Sequence, residues 1–266
     1  MALKGVVLAG GSGSRLFPLT LVTNKHLLPV YDRPMIFYPL AVLKEMGCRE
    51  VMVVVGGRSV GDVLELLHDG SDVGLDLTYR YQRGALGIAH AIGLTRDFVG
   101  ADPVAVVLGD NIVRGSLRDF VDRFVGDPSV EAGAVLKEVP DPERFGVAEL
   151  DGNGRLIGFE EKPARPKSSL IPIGVYFFRP SVFDVIGNLR PSARGEFEIT
   201  DLLNHYLAAG SLAHTVFEGE WQDAGTIEAL LKASEFAASF ATGEPIEAAE
   251  AEAAEAQRTD PRQVRT

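Results

Sequence analysis

The residues Gly10-Gly11-Ser12-Gly13-Ser14-Arg15 follow directly on an apolar run, Lys4-Gly5-Val6-Val7-Leu8-Ala9. A strand ending in such a turn can close bare backbone N–H groups around phosphate oxygens. Glycine permits left-handed dihedrals there and removes side chains that would hold a phosphate off. Arg15 inside the turn and Lys25 a little beyond it add positive charge. The pattern therefore points to a polyphosphate, with a nucleoside triphosphate as the expected ligand. Two aspartates suit the same chemistry. Asp110 follows the run Val104-Ala105-Val106-Val107-Leu108-Gly109, and Asp223 lies in Trp221-Gln222-Asp223-Ala224-Gly225-Thr226. Mg2+ bound to a triphosphate takes only one or two protein carboxylates beside phosphate oxygens and water. Either aspartate could instead form an Asx turn or cap a helix.

Other chemistries fit less well. A dinucleotide-binding loop needs G-x-G-x-x-G, and Leu16 stands where the third glycine belongs. A Walker loop must end in Gly-Lys-Ser/Thr, which this segment does not. His26, His68, His90, His205 and His214 show neither metal-ligand spacing nor a nucleophile partner. A net charge of −11 argues against nucleic-acid or anionic-membrane partners. Cys48, the single cysteine, reads as a core residue rather than a reactive thiol. No run reaches the ~20 apolar residues of a membrane helix, and the N-terminus enters a strand too early for a signal peptide. A soluble cytoplasmic protein is expected.

The elements that must position these groups alternate. Strand-like runs lie at Val6–Ala9, Val51–Val55, Leu75–Tyr79 and Val104–Leu108, with helices expected over Pro34–Met46, Val60–Leu67 and Ala85–Asp97. Short apolar strands between helices imply a mainly parallel sheet covered on both faces. Ligands of such sheets bind beyond the carboxyl ends of strands, where Gly10–Arg15 and Asp110 lie. Further strands are expected at Ala132–Val139, Gly146–Leu150, Arg155–Glu160, Ile173–Phe178 and Ala213–Phe217, and helices at Ile199–Ala208 and Thr226–Ala238. Asp151-Gly152-Asn153-Gly154 reads as a hairpin turn. Residues 1–240 form one expected domain, with a nucleotide half over about 1–110 and a sugar half over about 111–240. Residues 241–266 read as a solvated Ala/Glu-rich tail.

The string from Leu8 to Leu16, with Pro18-Leu19-Thr20 and Asn24-Lys25-His26-Leu27-Leu28-Pro29-Val30, resembles the sugar-phosphate nucleotidylyltransferases. Within them it is most similar to the glucose-1-phosphate thymidylyltransferases. Leu108-Gly109-Asp110-Asn111, Glu160-Glu161-Lys162-Pro163 and the stretch Pro191–Glu196 with Glu198–Asp201 extend the likeness. Trp221-Gln222-Asp223-Ala224-Gly225 departs from it by one alanine where threonine is common.

The resemblance implies a Rossmann-like α/β fold with a mixed, mainly parallel sheet and helices on both faces. It implies that Leu8, Gly10, Gly11, Ser12, Gly13, Ser14, Arg15 and Asp110 hold the nucleotide, with Gln82 and Gly87 reading the base. Gly146, Glu161, Lys162, Tyr176 and Arg194 take the sugar phosphate, and Asp110 with Asp223 bind Mg2+. Tyr176 could equally be simple core, and Thr200-Asp201 caps of the following helix. Arg15, Lys25, Lys162 and Asp110 would carry catalysis: a glucose-1-phosphate oxygen attacks the α-phosphorus of dTTP in line with departing pyrophosphate. No general base is needed, because a sugar phosphate is already mostly dianionic at pH 7, its second pKa being about 6. The alternatives are UTP or another hexose or aminosugar phosphate in the same chemistry, and a non-catalytic nucleotide-sugar-binding regulator. A homo-oligomer is expected. Longer family members carry C-terminal helices for oligomer contacts and a regulatory nucleotide site, which this chain is expected to lack.

Overall fold

The computed structural model describes residues 2–240. In chain order these form β1 (Lys4–Ala9), β2 (Pro29–Val30), β3 (Arg33–Pro34), α1 (Phe37–Glu45), β4 (Glu50–Gly56), α2 (Val60–Leu67), β5 (Asp76–Gln82), α3 (Ile88–Gly93), α4 (Arg96–Val99) and β6 (Val104–Leu108). Next come β7 (Asn111–Arg114), α5 (Arg118–Gly126), β8 (Ala132–Glu138), β9 (Gly146–Leu150), β10 (Leu156–Glu161) and β11 (Leu170–Phe178). The chain continues through α6 (Val182–Asn188), α7 (Ile199–Ala208), β12 (Leu212–Val216), β13 (Glu220–Asp223) and α8 (Ile227–Ala238).

One seven-stranded sheet, ordered β12-β8-β11-β6-β1-β4-β5, organises the molecule. Its pairs are parallel except those of β11, which runs antiparallel to both β6 and β8. The sheet is thus mixed and mainly parallel, as expected. Its central strands are apolar throughout because both faces are covered. Val7, Val53, Ala105, Val107 and Phe177 pack under α1, α2 and α5, through Leu40, Leu43, Val63, Phe120 and Phe124. Val6, Val54, Val104, Val106 and Phe178 face the other layer, where α3, α6 and α7 supply Ile92, Phe183, Leu202 and Leu203.

Two small ladders at the sheet's edge position polar groups. In β7–β13, Asp223 lies opposite Asn111. In β9–β10, Glu161 lies opposite Gly146. A third apolar cluster, with Val30, Met35, Ile112, Ala224, Ala233 and Ala237, fastens α8 beneath the first ladder.

Several local expectations are corrected. The helix expected from Pro34 starts at Phe37, because Pro34 pairs with Pro29 and the next two N–H groups bond to Leu28 and His26 carbonyls. The helix expected over Ala85–Asp97 is two short helices, since Gly87 stands at φ 96 and delays its start to Ile88. Strand β7 and helices α5 and α6 go beyond the sequence expectations. The N-cap of α7 is Glu198, not Thr200 or Asp201, and Thr226 caps α8 by accepting the Ala229 N–H at 3.2 Å. Cys48 is buried between α1 and β4, and burial pushes its thiol up to about 12. The expected tail at 241–266 lies outside the described residues.

Candidate active site

β1 ends at Ala9, and the chain turns through Gly10–Gly13 into a 3-10 turn at Ser14–Leu16. Gly13 adopts φ 65, and its carbonyl accepts the Leu16 N–H at 2.9 Å and the Thr20 hydroxyl at 2.9 Å. A Cβ at Gly10 would overlap the Gln82 side-chain oxygen, so a larger residue there would displace the Gln82 amide. The turn borders a cavity of about 670 Å³. Every residue assigned above to the nucleotide lines it: Leu8, Gly10, Gly11, Ser12, Gly13, Ser14, Arg15, Gln82, Gly87 and Asp110. Lys25 and Lys162 line it too.

Lys25 follows Asn24, whose side chain accepts the His26 N–H at 3.0 Å and donates to the Gly56 carbonyl at 3.0 Å. That anchor directs Lys25 at Asp110, with Nζ 2.6 Å from Oδ2. Burial pushes the Asp110 carboxyl up, but the Lys25 ammonium overrides it and holds the group down at about 2. His26 is fully buried, and burial together with Lys25 lowers it to about 3, so it stays neutral at pH 7. Its Nδ1 lies 2.8 Å from the Asn24 oxygen, and its ring fills the space a Cβ on Gly109 would need. His26 therefore seats the Asp110 turn without exchanging protons.

The second aspartate arrives beside the first. The Ala224 N–H donates to the Asp110 carbonyl at 2.9 Å, which brings Asp223 next to Asp110. Burial raises the Asp223 carboxyl, and Asp110 adds to the rise, while Arg144 and the Gly225 N–H oppose it. The Gly225 bond, at 3.2 Å, is the Asx contact weighed above, so Asp223 both shapes the turn and presents a carboxylate. Asp223 lines a side cavity of about 480 Å³ rather than the main one.

Lys162 has φ 45, a left-handed conformation uncommon for a residue with a side chain and more so before proline. Such conformations cost about 1–3 kcal/mol and persist where surroundings over-determine them. Here the Lys162 N–H is held by the Phe145 carbonyl at 2.9 Å.

The remaining sugar-side residues form an adjoining cluster that does not line the main cavity. Arg194 Nη2 lies 2.7 Å from Glu198 and 3.1 Å from Glu161, so carboxylates occupy its fork. A Cβ on Gly146 would meet Thr200 at 2.7 Å and Glu161 at 3.4 Å. Burial raises the Glu161 carboxyl, Lys162 lowers it and Glu198 raises it further. Tyr176 is only 2% exposed, packed with Phe178 in the core. Arg144, which lines both cavities, escaped the sequence reading. No motif marks it beyond its nearness to Gly146.

A loop for phosphates, the Asp110 carboxylate and the cations Arg15, Lys25, Arg144 and Lys162 thus meet at one cavity, with the Asp223 carboxylate beside Asp110 on the adjoining one. Such a set can bind a polyphosphate, steady charge on a leaving group and admit a divalent cation between carboxylate and phosphate.

A model of the nucleotidyl transferase family matches residues 4–239. The chain is 43% identical over 235 residues to the low-salt glycan biosynthesis nucleotidyltransferase Agl11 of Haloferax volcanii, covering 88% of this chain and 65% of that relative. It therefore spans slightly under two thirds of that relative's length. It is 42% identical over 238 residues to a glucose-1-phosphate thymidylyltransferase of Neisseria meningitidis, covering 88% of this chain and 82% of the relative. A Bacillus anthracis protein assigned as a glucose-1-phosphate thymidylyltransferase and crystallised with sucrose superposes with a TM-score of 0.87. Its identity is 45%, over 92% of this chain and 99% of the other. A UDP-glucose pyrophosphorylase solved with UDP-glucose matches with a TM-score of 0.77 and 25% identity, over 90% and 99%.

Proposed function

This chain belongs to the nucleotidyl transferase family, and on that premise we propose that it converts dTTP and glucose-1-phosphate into dTDP-glucose and pyrophosphate. The observation that carries this reading is the convergence of Gly10–Arg15, Lys25, Asp110 and Lys162 on one cavity, with Asp223 beside Asp110. Thymidylyl transfer to glucose-1-phosphate is taken from the names of the Neisseria and Bacillus relatives.

The Gly10–Ser14 backbone would bind the triphosphate, and Arg15 would stabilise the departing pyrophosphate. Lys162, from the sugar side of the cavity, would bring the sugar phosphate's oxygen to the α-phosphorus. Arg194 would join it by exchanging one carboxylate partner for phosphate. The Gln82 amide, which carries a donor and an acceptor, would read a pyrimidine edge by exchanging its Nε2 contacts to His90 and Gly87. Asp110 and Asp223 would hold Mg2+: two adjacent carboxylates, each neighboured by a base, suit an ion that completes its shell with phosphate oxygens. When bound, that ion supplies charge neutralisation on the phosphates.

No helix among the described residues is long and apolar enough to cross a membrane. The enzyme would act in the cytoplasm. It would do so as a homo-oligomer, for which the exposed Tyr31, Ile227 and Leu231 offer apolar surface. Mass spectrometry of products from an equimolar mixture of dTTP, UTP, CTP, ATP and GTP with glucose-1-phosphate tests the reading. dTDP-glucose as the dominant product supports it. Dominant UDP-glucose would retain the chemistry and overturn the base, and no nucleotide sugar would overturn both.

A further inference from the structure

We propose, on the reading above that this cavity takes a nucleoside triphosphate, that Arg144 is a phosphate-binding residue held in reserve on Asp223. It passes to the triphosphate when a divalent cation takes that carboxylate.

Arg144 stands where the two cavities meet and lines both. Its Nη1 is tethered to Asp141 Oδ2 at 2.8 Å, and its guanidinium lies over the Phe145 ring at 5.3 Å. The far nitrogen is different. Nη2 is buried without a hydrogen-bond partner, and it lies 3.5 Å from Asp223 Oδ2. That separation is an ion pair but lies beyond the ~2.7–3.2 Å of an N–H···O hydrogen bond. A buried charged donor left unsatisfied is costly, so a better acceptor would draw it.

The direction of that acceptor follows from Arg15. A Cβ on Gly225 would lie 3.2 Å from Arg15 Nη2 and 3.1 Å from Asp223 Oδ2. Both arginines therefore approach Asp223, and an anion met by Arg15 is near Arg144. A guanidinium fork suits phosphate oxygens, which it can meet in pairs. Lys25 and Asp110 repeat the arrangement at 2.6 Å, a base resting on the other carboxylate that would hold the cation. The site thus holds two neutralised pairs. A cation binding both carboxylates would free both bases for phosphate at once.

Two measurements on wild type and Arg144→Met test the exchange. Mn2+ binding to the nucleotide-free protein is read by electron paramagnetic resonance, and dTTP binding at saturating Mn2+ by calorimetry. Loss of Arg144 removes the cation's competitor for Asp223, so Mn2+ binds more tightly. It also removes a charge-assisted phosphate contact, so dTTP binds about tenfold more weakly. A residue that merely props Asp223 in place would weaken Mn2+ binding instead. Unchanged dTTP affinity, or Mn2+ and dTTP weakened together, overturns the exchange while leaving the enzyme reading intact. Arg144→Lys, read the same way, serves if the methionine variant does not fold. It keeps the charge and loses the fork, and the expected result is a smaller dTTP loss. A wild-type protein that binds no dTTP overturns the enzyme reading and the exchange with it.

Discussion

Lys25 Nζ lies 2.6 Å from Asp110 Oδ2, joining the segment before β2 to the end of β6. The two side chains are only 14% and 15% exposed, so the pair is shielded from solvent screening that weakens surface ion pairs. It holds a phosphate-seeking base and a cation-seeking acid in one place.

Arg15 is exposed and lies beside Gly225, free of salt bridges among the described residues. Arg15→Ala is expected to lower turnover by about 10²–10³, as for loss of one preorganised donor to developing charge. Its stability should change by no more than about 0.5 kcal/mol. Steady-state kinetics with calorimetric unfolding checks both. Near-normal turnover would remove Arg15 from the mechanism.

Lys162 couples function to backbone strain. Lys162→Ala and Lys162→Gly should both reduce kcat/KM for glucose-1-phosphate by about 10–100-fold, the worth of one charge-assisted contact. At φ 45, however, glycine is at ease and alanine is not. The glycine variant should therefore be the more stable of the two, by about 1 kcal/mol in urea unfolding. Equal stabilities would argue against the left-handed backbone.

Gly87→Ala should damage the fold at the base-reading loop. Gly87 stands at φ 96, and a Cβ there would meet the Phe197 backbone at 2.5 Å. The Phe197 N–H also donates to the Leu86 carbonyl at 2.9 Å, so the two segments cannot easily part. A loss of about 2 kcal/mol or more is expected, with weakened nucleotide binding. A variant with wild-type melting temperature would contradict this packing.

His26 makes stability depend on pH. Its folded value is lowered to about 3, against 6.5 for the free side chain, so the unfolded state binds the extra proton first. Stability is full above pH 6.5 and falls by up to about 1.4 kcal/mol per pH unit as pH drops from there toward 3. Asp110, lowered to about 2, adds a loss only below its unfolded value near 3.8. Urea unfolding between pH 7 and 5 should show this slope in wild type and a flatter one in His26→Gln. Equal slopes would mean that the buried imidazole is not its source.

What could be read in advance followed physical rules. β1 and β6 are unbroken apolar runs ending at glycine, so Arg15 and Asp110 could be placed at the ligand edge from sequence. α5 was missed because Phe120, Val121 and Phe124 are interspersed with Arg and Asp, leaving the segment polar on average. β7 is only four residues long, too short for an alternation to emerge. Tyr176 lies in a strand buried at every position, where sequence cannot say which face meets a ligand. Arg144 became visible only when folding set the 3-10 turn at Pro142–Arg144 beside Asp223.

Pyrophosphate release from dTTP with Mg2+, with and without glucose-1-phosphate, for wild type and Asp110→Asn tests the proposed thymidylyl transfer. Release should require the sugar phosphate and fall by at least about 10² in the variant. Release independent of glucose-1-phosphate, or undiminished in Asp110→Asn, would contradict it.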